Sequence, residues 1–415
     1  MKKVLMWLIV SLVVIAGAVA ARAEGTPETP PPESNPQVGY KGGFFIKNAD
    51  GSFEFKLKGR LQPQYYFQKR TGRESESSFK IRRAMLSFGA TIAEKGNVNV
   101  ILLHSTSTSN FQTVNIINAT AGYEFIPEFA LTLGTVGLPL SMIGETSSLG
   151  YFLVEAPAII TQRDGGDLTP LRSAFGNPDG LGINASGTLG KFFYTFSLVN
   201  GAADPVDSVT VAGVEVQEAA GGEESNYDLN PHKRLSAGAR ISYDILEGAF
   251  TGYEMDLPYS EKAKLTVSMG GMYQGRRIEP VNNTEVSRIL TGGTGLAFKW
   301  RGLSINSEIF GRMTKLSNPA AAVWYSTNME DFGYYLDGGY FIVPNKFEVA
   351  LCGSQIFREG PKNNSYQMGG GLNYYIKGNN LKVQLAYTLT TSYKQLTDTQ
   401  ESKTHRIATM LTAAF

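Results

Sequence analysis

The stretch "FEFKLKGRLQPQYYF", residues 53–67, decides the fold. Phe53, Phe55, Leu57 and Leu61 fall on one side of it, and Glu54, Lys56, Lys58, Arg60, Gln62 and Gln64 on the other. Side chains point to alternate faces of a strand, so this spacing predicts a strand with one apolar and one polar face. "LSINSEIFGRMTK" (303–315) repeats the pattern, with Leu303, Ile305 and Ile309 opposing Ser304, Asn306, Glu308 and Arg312. "LKVQLAYTLT" (381–390) does so again, and "THRIATMLTAAF" carries the alternation through Ile407 and Leu411 to Phe415. A helical period fits none of these.

Sixteen such segments are predicted along the chain. They fall at 53–67, 79–93, 97–105, 111–125, 129–137, 180–189, 191–201 and 233–244. The second eight are 263–276, 288–300, 302–315, 331–342, 346–358, 366–377, 380–393 and 404–415. Long or polar gaps alternate with tight turns. "QKRTGRESESS", "STSTSN", 138–179, 202–232 and "SYKQLTDTQESK" are the long kind; "EKGN", "IPE", "GK", "RG", "VPNK" and "GNN" are the short kind. The gap 245–262 breaks the rule. A soluble sandwich has no reason for this rhythm, whereas a membrane barrel carries short turns on one rim and long loops on the other. The expected fold is therefore all-β, a transmembrane antiparallel β-barrel of 16 strands. Its last strand pairs with its first, because an open edge in lipid leaves backbone groups unsatisfied.

The N-terminus agrees. Met1-Lys2-Lys3, the apolar run 4–20 and Ala21-Arg22-Ala23 predict a signal peptide over 1–23. The Pro-rich acidic stretch 24–38 is expected to be a flexible leader, and 39–415 the barrel. One cysteine, Cys352, excludes an intramolecular disulfide framework, and a net charge of +1 argues against nucleic acid as a partner. No nucleophile–base pattern is present, so no catalysis, metal or cofactor is expected. Gly-rich "MGGGLNYY" and "SMGGMYQGRR" are read as strand glycines that allow close approach or bending. Aromatic clusters at Tyr65-Tyr66-Phe67, Tyr123 and Phe125, Trp300, Trp324-Tyr325, Tyr334-Tyr335 and Tyr374-Tyr375 suit the interfacial girdles of a barrel.

Several motifs resemble one family. "GYKGGFFIKNADGSFEFKLKGRLQPQYYF", "FKIRRAMLSFGATI", "LTLGTVGLPLSMIGETSS", "RDGG", "FFYTFSLVNGA" and the terminal Phe are together similar to outer-membrane porins of the phosphate-selective O and P type. The resemblance implies a homotrimer of sixteen-stranded barrels whose third extracellular loop folds inward as a constriction. The longest strand-free stretch, 138–179, occupies that position. It offers Arg163 and Arg172 beside Glu145, Glu155, Asp164 and Asp167. Phosphate-specialised members line the constriction with several Lys and Arg, so this stretch departs from the pattern that phosphate specificity implies.

Parity places Lys56, Lys58, Arg60, Arg83, Arg234, Arg240, Lys264, Arg276, Arg312, Lys382 and Arg406 on lumen-facing positions, against Glu54, Glu308 and Glu348. Basic rings favour anions. Arg82 and Arg83 are adjacent, so only Arg83 is expected inward unless a bulge intervenes. Arg312 and Glu308 are expected to neutralise each other, while Lys56 and Lys382 have a bland alternative as rim residues. The expected function is passive diffusion of small hydrophilic, preferentially anionic solutes, with lipid and lipopolysaccharide around the wall. A structural or surface-binding barrel with an occluded lumen is the alternative.

Overall fold

The computed structural model describes residues 36–104, 114–161, 175–200, 208–211, 214–217, 235–250, 252, 254–275, 277–279, 284–318, 328–358, 364–392 and 402–415. Sixteen antiparallel strands form the wall. The first eight are β1 (Phe53–Arg70), β2 (Glu76–Ile92), β3 (Gly96–His104), β4 (Asn115–Ile126), β5 (Phe129–Gly137), β6 (Asp179–Leu189), β7 (Phe192–Asn200) and β8 (Leu235–Asp244). The rest are β9 (Lys264–Gln274), β10 (Thr284–Trp300), β11 (Leu303–Asn318), β12 (Asn328–Val343), β13 (Phe347–Arg358), β14 (Ser365–Lys377), β15 (Leu381–Ser392) and β16 (Ser402–Ala414). Each pairs with its neighbour in sequence, and β16 pairs with β1 from Thr404↔Arg70 to Ala414↔Arg60. The sheet is closed.

Phe415 completes the seam. Its N–H donates to the Gly59 carbonyl and its carbonyl accepts from the Gly59 N–H, both at 2.9 Å. A Cβ on Gly59 would stand 2.2 Å from the Phe415 ring, so only glycine lets the ring lie across β1. Below that point β1 is paired by a short hairpin, Gln37–Tyr40 with Phe44–Lys47, whose second strand meets Glu54–Leu57. Phe44 and Phe415 pack edge to face at 5.7 Å. A second hairpin, Ser208–Val211 with Val214–Gln217, lies in the long gap between β7 and β8.

Alternation assigns the two faces. Outward positions are apolar and exposed; Met269 is 62% and Leu351 66% accessible, as suits a surface solvated by hydrocarbon. Aromatic pairs such as Phe125–Phe129 (5.6 Å) and Phe192–Tyr243 (4.5 Å) sit at the tight-turn rim, and Tyr65–Phe79 (4.8 Å) at the other. Not every residue of the expected girdle contributes, because adjacent aromatics point opposite ways. Tyr335 and Tyr375 are buried inside the barrel, and Tyr66 lies beneath lumen cations; Trp324 and Tyr325 fall outside the described residues. The tight turns are of the expected kind: Arg301 (φ 47°) and Gly302 (φ 81°) form a two-residue connection with both residues left-handed, matching the right-handed strand twist.

The exceptional gap between β8 and β9 has a structural reason. The described residues of 249–260 do not form a tight turn but lie against lumen-facing groups and the neighbouring turn. Ala249 and Met255 are buried, and Asp256 accepts from Ser260 N–H (2.8 Å) and Gly302 N–H (2.9 Å).

Candidate functional site: the lumen wall and the strap across it

Segment 138–161, between β5 and β6, contains two one-turn helices, α1 (Met142–Glu145) and α2 (Ala158–Thr161). It lies against inward-facing side chains of β1, β2, β8, β11, β14 and β15. Glu308 on β11 accepts from Ser141 Oγ (2.6 Å), Met142 N–H (2.9 Å), Ile143 N–H (3.3 Å) and the Tyr335 hydroxyl (2.8 Å). Lys382 Nζ on β15 donates to the Leu149 carbonyl (2.7 Å), and Arg60 on β1 to Ser148 Oγ (2.6 Å) and Ser147 Oγ (3.3 Å). Arg240 on β8 pairs with Glu145. Gln367 on β14 accepts from Ala158 N–H. This strap meets the segment from the opposite rim: Ser147 N–H donates to Gly252, Glu254 N–H to Gly150, and Phe152 N–H to Glu254 Oε2.

Apolar burial holds the two segments down. Leu138, Leu140, Ile143, Ile159 and Phe175 pack with Phe310, Tyr335 and Ile356 of the wall. Phe152, Leu153, Val154 and Met255 pack with Phe341, Tyr375 and Ala408. Each fully buried side chain of this size contributes about 1.5–3 kcal/mol. Wall glycines make the contact possible. A Cβ on Gly270 would stand 2.5 Å from the Leu140 carbonyl oxygen, and one on Gly371 2.7 Å from Leu153. Close approach is thus the role of both Gly-rich strands.

The sites expected from parity separate into groups. Arg60, Arg83, Arg240, Arg312 and Lys382 face inward and are engaged. Lys382 is fully buried, so the rim alternative does not hold for it. Arg312 pairs with Asp331 on the neighbouring strand rather than with Glu308, since Asp331 is its cross-strand partner and Glu308 is taken up by the strap. Lys56 pairs with Glu54 at 3.0 Å, Lys58 is exposed, and Lys264 lies opposite Lys299. Arg163, Asp164, Arg172, Arg234 and Arg276 lie outside the described residues.

Arg82 also reaches inward. The register shifts between Gln62↔Arg83 and Pro63↔Ile81, so Arg82 is the extra residue of a bulge. The bulge turns both arginines onto Glu155: Arg82 Nη2 and Arg83 Nη2 each donate to Oε2 at 3.1 Å. Pro63, which has no N–H to give the ladder, is the sequence signal for this irregularity. Lys80, restored to inward parity by the same shift, sits 5.1 Å over the Tyr66 ring, and Arg406 lies 5.0 Å over it. The parity assignment also passed over Lys299 and Asp337, buried on β10 and β12, and Asp331, which pairs inward with Arg312.

Burial alone would raise the Glu155 carboxyl, but Arg82 and Arg83 outweigh it and hold Glu155 below the ordinary carboxylate value. Glu145 is pushed up by burial against the opposing pull of Arg240. Glu254 is raised to about 8, first by burial, with Glu348 adding repulsion and the Phe152 N–H opposing it. The described lumen therefore has a basic wall (Arg60, Lys80, Arg82, Arg83, Arg406) facing a wall that bears Glu308, Asp331, Asp337 and Glu348. Between them run uncharged ladders such as Ser87–Asn99–Asn118, with Ser87 and Asn99 3.1 Å apart.

Residues 303–415 match the family of phosphate-selective porins O and P. The match covers β11 to β16, whereas the motifs that first carried the resemblance lie mostly in the N-terminal half. Solved structures share the whole fold. The anion-selective porin from Comamonas acidovorans aligns over 88% of this chain and 100% of its own, with 12% identity and a TM-score of 0.59. The outer membrane channel DcaP of Acinetobacter baumannii aligns over 89% and 99%, with 11% identity and a TM-score of 0.56. A trimer form of OmpT from Vibrio cholerae aligns over 87% and 99%, with 8% identity and a TM-score of 0.51. At such identities the likeness is one of fold, and the fold is a porin-type barrel. No curated protein matches the chain.

Proposed function

We propose that this protein is an outer-membrane porin, a water-filled passage for passive diffusion of small hydrophilic solutes that favours anions. One observation carries the reading. Lys80, Arg82, Arg83 and Arg406 converge on one stretch of lumen wall and are answered there by Glu155. Cations at a constriction, with low-dielectric walls behind them, concentrate anions and repel cations. The same chemistry suits passage without a chemical step. The Comamonas structure, described as anion-selective, supports the direction of the preference.

On this reading residues 1–23 direct export, 24–38 form a leader whose last two residues enter the Gln37–Tyr40 strand, and the apolar outer face is bathed in lipid and lipopolysaccharide. Assembly as a homotrimer is supported by the trimeric form of the Vibrio structure. The strap 138–161 acts as the constriction, with Glu145 and Glu155 as its anchored acids. The test is a planar bilayer with a tenfold KCl gradient. Stepwise conductance with a reversal potential favouring chloride is expected, and a potassium-favouring potential would refute the anion reading. A second reading, a surface-binding barrel with occluded lumen, is favoured by the buried core that the strap builds against β11–β16. Absence of any conductance step would select it.

A further inference from the structure

Beside the strap lies a cavity of about 240 Å3 whose lining shares Glu155, Gln367 and Arg406 with the contacts above. Its wall is built from rows of register neighbours. Thr390, Thr404 and Arg70 form one row across β15, β16 and β1, and Thr388, Arg406 and Gln68 form the next. Val154 and Leu153 of the strap, with Ala386 and Ala408 of the wall, supply an apolar floor. The cavity lies on the long-loop side of Lys382 and Gln384, where the strap crosses, so it forms the long-loop face of the constriction.

The lining restricts what fits. Glu155, shared between Arg82 and Arg83, also lines the cavity, and the guanidiniums of Arg70 and Arg406 with Lys80 nearby leave the lining a positive surplus that favours a negative charge. Three hydroxyls and the Gln68 amide, spread over two strands' width, require several hydrogen-bonding groups on one solute, not a single compact centre. The alanine and valine floor suits the C–H face of a ring or polyol chain. The volume is several times that of a small inorganic oxyanion and accommodates about six carbons.

We propose that this cavity is a binding subsite for a hydroxylated organic monoanion of sugar-acid size. The assignment rests on the channel reading for its role in transport, but not for its binding. The first experiment measures chloride current through the full-length protein in bilayers while D-glucuronate, phosphate or acetate is added on the long-loop side. Glucuronate is expected to interrupt the current at a concentration at least tenfold below the other two, and the double variant Thr388→Val, Thr404→Val to remove that advantage. Equal block by all three anions, or a preference that survives the double substitution, overturns the subsite. The second experiment is saturation-transfer NMR of glucuronate on the folded, detergent-solubilised protein, competed with acetate. If no channel forms, the channel reading fails while this measurement still decides: a glucuronate signal lost in the double variant supports the subsite, and none in the native protein overturns it.

Discussion

Replacing Glu155 with Gln removes the carboxylate that answers Arg82 and Arg83 without altering the size of the side chain. The nearest cations to a passing ion are then Lys80, Arg82, Arg83 and Arg406 with no acid among them. One added unit of positive charge about 7 Å from the ion path is worth about 0.6 kcal/mol in a water-like dielectric. That is a factor of about 3 in local concentration, upward for chloride and downward for potassium, so the permeability ratio changes roughly sevenfold. At about 0.1 M salt the Debye length is about 10 Å, which roughly halves the energy and leaves about a threefold change. Reversal potentials in KCl gradients at low and moderate salt read this directly. The shift must be toward chloride and must shrink as salt rises. Replacing Arg82 and Arg83 together with Gln must move the ratio the other way. A Glu155→Gln channel of native unit conductance whose selectivity is unchanged would show that the basic wall does not set the field.

Three further outcomes follow from the packing. Glu308→Ala leaves four donors without their acceptor, at about 1 kcal/mol each; hydrogen exchange at Met142 and Ile143 should accelerate by about a hundredfold or more, and unchanged protection would contradict the anchor. Gly270→Val puts a side chain against the Leu140 carbonyl, which backbone cannot yield easily; the strap should lift and single-channel noise should rise, whereas a quiet native conductance would count against close packing. The two strap-side acids titrate with opposite sign. Glu254 is raised to about 8 in the folded chain against an ordinary 4.5, so the folded state holds the extra proton and stability falls as pH climbs through that interval. Glu155 is depressed, so its contribution is present above the ordinary value and is lost as pH falls through the folded one. The midpoint of heat denaturation should therefore drop between about pH 5 and 8, and Glu254→Gln should flatten that slope; a native slope in the variant would contradict the assignment.

The wall was legible in the sequence because its two physical demands are local. Hydrocarbon outside and water or strap inside impose a period of two, and turn residues such as Arg301-Gly302 punctuate it. Predicted and observed strands accordingly agree to within a few residues, as at 129–137 and Phe129–Gly137. Parity also placed Arg60, Arg240 and Lys382 inward. What parity could not supply is the partner. Arg312 chooses Asp331 over Glu308 because register, set across strands, brings Asp331 opposite it. Arg82 turns inward because of a bulge whose local sign is one proline. The segment 249–260 looked only like an overlong turn, although Glu254 and Asp256 amid Phe250, Met255 and Leu257 carry the mixed polarity of chain that must be buried yet satisfied.

The charges on the lumen wall thus form two populations that composition cannot tell apart. A sixteen-stranded barrel is too wide for its own side chains to fill, so the space goes to water or to chain. Where chain fills it, the wall's polar face becomes an interior, and an unanswered charge there would cost several kcal/mol. Lys382 meets a carbonyl, Arg240 meets Glu145, and Glu308 meets a helix start and a hydroxyl, so these groups fasten the strap and contribute little net field. On β16, β1 and β2 the strap offers Glu155 against Lys80, Arg82, Arg83 and Arg406, and the surplus there stays positive. Selectivity then resides in that imbalance rather than in the total of inward cations. Neutralising Arg240 should loosen the strap with little effect on ion preference, whereas neutralising Arg406 should weaken ion preference and leave the strap in place.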